Sequence, residues 1–229
     1  MIIAIDGPSG AGKSTLGKMI AKKLNLLYLD TGAMYRAVGL AVFESGKDFY
    51  DAETVIKIAR ESKIDLVGEP ENLQILLDGR DVSAEIRTNE VGQMASIVST
   101  VSEVRKLLVE RQRELGKLGS GCVLDGRDIG TVVFPNADIK FFLTAKPEAR
   151  ARRRYEEDKA RGRVTTYEET LTEINQRDER DVSREDSPLA IAEDAIVIDT
   201  SELNLTEVYE RMLEIVNSMP VKRGQGNVS

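Results

Sequence analysis

An α/β layer fold with a mainly parallel, five-stranded central sheet is predicted by three features of this 229-residue chain. Short apolar runs alternate with helix-spaced repeats, the first run and repeat are joined by a glycine-rich loop, and the alternation is interrupted once by a stretch suited to a small antiparallel insert. In chain order, Ile2-Ile3-Ala4-Ile5 is the first strand, 2–5, and a helix is expected at 13–24, where Leu16, Met19, Ile20 and Leu24 share one face. A strand at 27–29 and helices at 32–43 and 52–61 follow. Residues 63–87 hold the insert: Ile64 to Val67, then Leu73 to Leu77, an Asp78-Gly79 turn, and Arg80-Asp81-Val82. Beyond it come a helix at 103–118, strands at 122–125 and 139–143, helices at 147–160 and 167–184, a strand at 195–198 and a helix at 204–218. Residues 155–166 are highly charged around Gly162, the composition of a mobile flap rather than a packed element. The polar, glycine-containing end from Pro220 to Ser229 is expected to be disordered. Length fits one globular unit with appendages.

Composition excludes several classes. Acidic residues outnumber basic ones, 39 to 32, and the net charge of -7 opposes a surface that coats nucleic acid. Clustered arginines in such a chain should face a small anion. With no histidine and one cysteine, imidazole catalysis, the usual zinc sites and an intrachain disulfide are excluded. Cys122 opens an apolar run and reads as a buried strand residue. No apolar stretch approaches the roughly 18 residues of a membrane span, so a soluble, cytoplasmic protein is expected, acting as a monomer without nucleic-acid or membrane partners.

The chemistry begins at Gly7-Pro8-Ser9-Gly10-Ala11-Gly12-Lys13-Ser14, a complete G-x-x-x-x-G-K-[ST] phosphate loop between a strand and a helix, followed by Thr15. Its glycines let backbone N–H groups turn toward phosphate oxygens, the helix start adds its positive end, Lys13 supplies a cation, and Ser14 can ligate Mg²⁺. ATP is the implied ligand. The second motif, Asp125-Gly126-Arg127-Asp128, follows the apolar strand Cys122-Val123-Leu124. Taken alone it could be a surface turn; behind a phosphate loop, Asp125 is the candidate carboxylate that orients the metal. The third, Leu29-Asp30-Thr31-Gly32-Ala33-Met34-Tyr35-Arg36, offers a Thr31 N-cap, a helix N-terminus and Arg36 as a second anion site, or else only a structural cap with an exposed arginine. Arg177, Asp181 and Arg184 share a helical face beside Arg180, and Arg150 and Arg154 share another. Such charge runs are commonly solvated faces; phosphoryl transfer between two polyanions would give them work.

Together the phosphate loop Gly7 to Thr15, the segment Leu29 to Arg36, the stretch Asp125 to Pro135 and the run Arg177-Asp178-Glu179-Arg180-Asp181 resemble the bacterial cytidylate kinases, over about residues 1–218. The resemblance implies a P-loop three-layer kinase fold whose core is 1–30, 100–154 and 185–218. It assigns 31–99, with the insert, to monophosphate binding, about 155–166 to a mobile lid, and leaves 219–229 as a tail. It further implies that Thr31, Arg36 and Arg127 hold the acceptor phosphate, that Ser96, Arg105 and Asp128 surround its base, and that Arg177 and Asp181 meet the ribose and phosphate with Arg184 nearby. The implied reaction moves the γ-phosphoryl group of ATP to CMP or dCMP in pyrimidine nucleotide metabolism. Cytosine presents an N4 donor beside N3 and O2 acceptors, which suits one carboxylate and one cation, Asp128 and Arg105. An anionic acceptor phosphate needs no general base, so catalysis reduces to alignment and charge. Lys13, Arg127, and the lid arginines Arg150 and Arg154 are the expected catalytic cations, with Mg²⁺ held by Ser14 and oriented by Asp125.

Rival readings differ in class. A regulatory GTPase would carry an Asn-Lys-x-Asp motif, and no Asn-Lys dipeptide occurs. A sugar or shikimate kinase would need a base for a neutral hydroxyl and would have less use for Arg36 and Arg127 together. A non-enzymatic ATP-dependent switch stays open on sequence alone.

Overall fold

The computed structural model describes residues 1–219. The expected tail from Pro220 to Ser229 lies outside the described residues. The elements run β1 Ile2–Asp6, α1 Lys13–Leu24, β2 Leu27–Asp30, α2 Thr31–Glu44, α3 Ala52–Glu61, β3 Ile64–Val67, β4 Gln74–Leu77 and β5 Arg80–Asp81. They continue with α4 Asn89–Val98, α5 Ser102–Gly116, β6 Cys122–Gly126, β7 Ile139–Thr144, α6 Pro147–Ala160, α7 Tyr167–Ser183, β8 Ile196–Asp199 and α8 Leu205–Ser218. A single π-helical turn, Ile129–Val133, follows β6.

Five strands form the central parallel sheet in the order β2-β6-β1-β7-β8. Strands buried on both faces read as continuous apolar runs, which is why Ile3-Ala4-Ile5 and Cys122-Val123-Leu124 are wholly buried. Helices α1 and α8 cover one face of the sheet through Leu16, Ile20, Val208 and Met212. The other face is closed by α5 and the π-helical turn through Val109, Ile129 and Val133. The expected insert is a separate antiparallel sheet, β3-β4-β5. Its β4–β5 turn has positive φ at both Asp78 (51°) and Gly79 (84°), the signature of a tight hairpin of the primed type.

Two expectations are corrected. Helix α4 is absent from the sequence reading, although Thr88 caps it by accepting from Val91 N, and Val91, Ala95 and Val98 form its buried stripe. A ten-residue helix with Gly92 at its centre gives a weak periodic signal. That glycine has a packing reason: a Cβ there would stand 3.1 Å from Arg36 Nη1. The flap at 155–166 is the second. Half of it is helix, since α6 runs to Ala160, and Asp158 is only 1% exposed. Its carboxylate accepts from Arg154 Nε at 3.1 Å and Arg163 Nη1 at 2.8 Å, so charges that looked solvated neutralise one another in a packed joint.

Candidate active site

A cavity of about 730 Å³ opens at the carboxyl edge of the sheet, where β1 lies between β6 and β7. This is the crevice in which open α/β sheets place ligands. One wall is the loop Ser9 to Thr15; α2, α4, α5 and α7 supply the others. Within the loop, Gly7 and Pro8 shape rather than line the cavity: a Cβ on Gly7 would overlap Leu143 O, and Pro8 O accepts from Lys13 Nζ at 2.7 Å. Lys13 is 5% exposed. Burial, and then Arg127 beside it, hold its ammonium well below the ordinary lysine pKa. Such a cation lacks an anion.

Ser14 Oγ and Tyr28 OH both donate to the Asp125 carboxylate, each at 2.7 Å. Asp125 and Asp30 are register partners on β6 and β2, so two carboxylates stand side by side. Burial, then Asp30, push the Asp125 carboxyl up to about 6. A hydroxyl backed by a carboxylate suits Mg²⁺, which takes few protein ligands and keeps waters and phosphate oxygens. Among the described residues no cluster of three metal-ligating side chains exists. A raised carboxyl pKa means that the folded chain favours the proton, a contribution present below the unfolded value of 3.8 and lost as pH rises through about 6. The melting-temperature advantage of Asp125→Asn over the parent, without Mg²⁺, is therefore expected to shrink as pH falls from about 7 to 5. A constant difference across that window would reject the shift.

The opposite wall gathers guanidinium groups. Arg127 Nε donates to Asp181 Oδ2 at 2.7 Å, and Arg184 Nη2 stands 3.6 Å from Asp181 Oδ1. Arg177 has no ion-pair partner among the described residues, and its Nε is buried without an acceptor. Burial, then Arg127 and Arg36, push Arg177 down to about 9; Arg36, buried beside Arg154, Arg127 and Arg87, falls to about 10 despite Asp30. Arg36 Nη1 also donates to Ile86 O at 2.8 Å, which fixes its head at the cavity. Deeper in, Arg105 is ion-paired with Asp128, both buried, and lies over the Tyr35 ring with its guanidinium carbon 5.4 Å from the centroid. Ser96 Oγ, Tyr35 OH, Arg105 Nε and Arg184 Nε are buried without partners. Buried polar atoms of this kind, converging on one cavity, need a polar ligand or water.

Some expected residues sit differently. Asp30, not Thr31, caps α2, accepting from Ala33 N at 2.9 Å, while Thr31 Oγ1 donates to Asp125 O at 2.6 Å. The helix N-terminus is thus already served by a carboxylate, which leaves Arg36 as the cation there. Arg154 lines the cavity and donates to Asn89 Oδ1. Arg150 stands behind the phosphate loop instead. It is 3% exposed and donates to Ala145 O at 2.9 Å, Ser9 O at 3.0 Å and Asp178 Oδ2 at 2.6 Å, so each of its three nitrogens is engaged. Arg150→Ala is expected to cost about 3 kcal/mol of unfolding free energy, measured in urea, by stranding these acceptors; a loss below about 0.5 kcal/mol would reject the clamp. Tyr35, Asn89, Asp158 and Ser99, which accepts from Arg105 and Arg184, were not singled out by the sequence. Asp30 was legible, since aspartate before an apolar repeat is a cap signal.

A family model for cytidylate kinase matches residues 3–218. The cytidylate kinase of Caldanaerobacter subterraneus subsp. tengcongensis is 52% identical over 214 residues, 93% of each chain. That of Bacillus velezensis is 48% identical over 214 residues, 93% of this chain and 95% of the relative. Among solved structures, an uncharacterized protein from Eubacterium ventriosum shares the fold with a TM-score of 0.50 and 13% identity, covering 95% of this chain and 99% of that one. With a phosphate loop facing a guanidinium-lined wall across one cavity, and a family match over nearly its whole length, the chain belongs to the cytidylate kinase family.

Proposed function

We propose that this enzyme transfers the γ-phosphoryl group of ATP to CMP, and to dCMP, giving ADP and CDP or dCDP. The observation that carries the reading is the Arg105–Asp128 pair with unpartnered Ser96 Oγ, in a cavity whose other wall is the phosphate loop. The carboxylate accepts from the cytosine N4 amine, and the guanidinium donates to N3 and O2. Uracil reverses the pattern at positions 3 and 4 and leaves both groups mispaired. Arg36, Arg127 and Arg177 hold the acceptor phosphate, and Asp181 and Arg184 sit at its ribose. The loop from Gly7 to Thr15 holds ATP.

Transfer needs no proton abstraction, because the attacking oxygen is already anionic. Lys13, Arg127 and Arg154 face the charge that spreads over the moving group; Lys13 has no ion-pair partner among the described residues, while Arg127 and Arg154 are held in place by Asp181 and Asp158. Ser14, whose hydroxyl donates to Asp125, would hold Mg²⁺, which would neutralise charge on the triphosphate. Arg150 acts at one remove, holding Ser9 O and thereby the loop. Residues 31–99 form the acceptor-binding region, and the packed α6–α7 joint, with Arg163 tied to Asp158 and Arg87 O, walls the site from water. A ³¹P spectrum of ATP, CMP and Mg²⁺ incubated with the enzyme should show ADP and CDP rising together. ADP with inorganic phosphate and no CDP would overturn the assignment.

A further inference from the structure

Directly after Asp128, the chain is held by a residue that the cavity does not expose. Asp6 ends β1, one position before Gly7, and is 4% exposed. Its Oδ1 accepts from Ile129 N at 2.8 Å and its Oδ2 from Gly130 N at 2.7 Å. In the parallel ladder Asp6 pairs with Gly126. One residue of β1 therefore grips the chain on both sides of Arg127 and Asp128: through the strand register before them and through its carboxylate after them. Lys140, 7% exposed and ion-paired with Asp194 at 2.7 Å, closes the joint from behind. A Cβ on Gly130 would stand 3.0 Å from Lys140 Cδ and 3.3 Å from Asp6 Oδ2, so a side chain there would press on the joint.

We propose that Asp6 is a positioning residue that aims Asp128 and Arg127 at the acceptor nucleotide, and so sets acceptor selectivity without touching it. This rests on Asp128 reading the base. Two N–H groups converging on one side chain require two acceptor oxygens. An amide offers one, and turns its NH₂ against the other N–H. The turn must then shift, and the Asp128 carboxylate moves with it.

The test compares Asp6→Asn, Gly130→Ala and Asp128→Ala with the parent, reading the CMP-over-UMP ratio of kcat/KM, KM for CMP, and affinity for a non-hydrolysable ATP analogue. Asp6→Asn is expected to lower the ratio about tenfold and raise KM for CMP, with ATP-analogue affinity held within about twofold. A general loss of structure would instead weaken both nucleotides together. If Asp128→Ala collapses the ratio and a folded Asp6→Asn does not, Asp6 has no positioning role. If Asp128→Ala leaves the ratio unchanged, the reading of Asp128 fails instead, and the role of Asp6 with it. Should Asp6→Asn fail to fold by circular dichroism, Gly130→Ala decides, since it keeps the carboxylate and displaces the same joint: a lowered ratio supports the role, an unchanged one overturns it.

Discussion

Lys13→Ala is expected to lower kcat by at least about 100-fold, with the fold intact. Lys13 contributes one hydrogen bond to the free chain, to Pro8 O, and it is a desolvated cation beside Arg127. Removing it relieves repulsion with Arg127, which offsets the loss of its buried stem, so the melting temperature should stay close to that of the parent. In the proposed complex the same buried cation would meet the triphosphate, where a fixed, desolvated charge is worth most. The loss should fall on kcat more than on KM for CMP, because acceptor binding uses other arginines. Near-normal turnover in a steady-state assay saturated with ATP and CMP would remove Lys13 from the transfer step.

The second large effect is on selectivity. Asp128→Ala removes the carboxylate proposed to accept from the cytosine amine and strands Arg105, a buried cation whose other contacts are Ser99 O at 3.3 Å and the Tyr35 ring. CMP loses its paired groups, while UMP loses a repulsive one. The kcat/KM ratio of CMP to UMP should therefore fall by at least about tenfold, mostly through KM for CMP, since each mispaired buried group costs about 1–3 kcal/mol. Should the ratio survive with both substrates weakened equally, Asp128 serves folding and the base is read elsewhere.

The fold was legible where local signals coincide with global ones. β1, the loop and α1 carry strand, glycine and helix signals in uninterrupted succession, and the Asp78-Gly79 hairpin carries its own backbone chemistry. Boundaries of α1, α3 and α6 agree with their periodicity because Gly12, Asp51 and Pro147 mark the starts. What the sequence hides is pairing across long separations. Arg150 and Arg154 share a helix face and look equivalent, yet Ser9 and Asp178 claim the first and leave the second at the cavity. Asp158 is one acidic residue among many until Arg154 and Arg163 close on it. Asp30 and Thr31 compete for one cap, and only the ladder beside Asp125 decides which hydroxyl or carboxylate turns where. Tyr35 carries no signal of its own in the sequence; its unpartnered hydroxyl and its place under Arg105 emerge only in the fold.

The proposed arrangement sets a cytosine-reading pair facing an ATP-binding loop across one cavity. It is tested most directly by kcat/KM for CMP against UMP and AMP, at saturating ATP and Mg²⁺, with coupled detection of ADP. CMP should run ahead of both by at least about fivefold, the minimum expected from one mispaired buried group at about 1 kcal/mol. Equal use of CMP and UMP, or ADP release that no nucleotide raises above the rate in water alone, would contradict it.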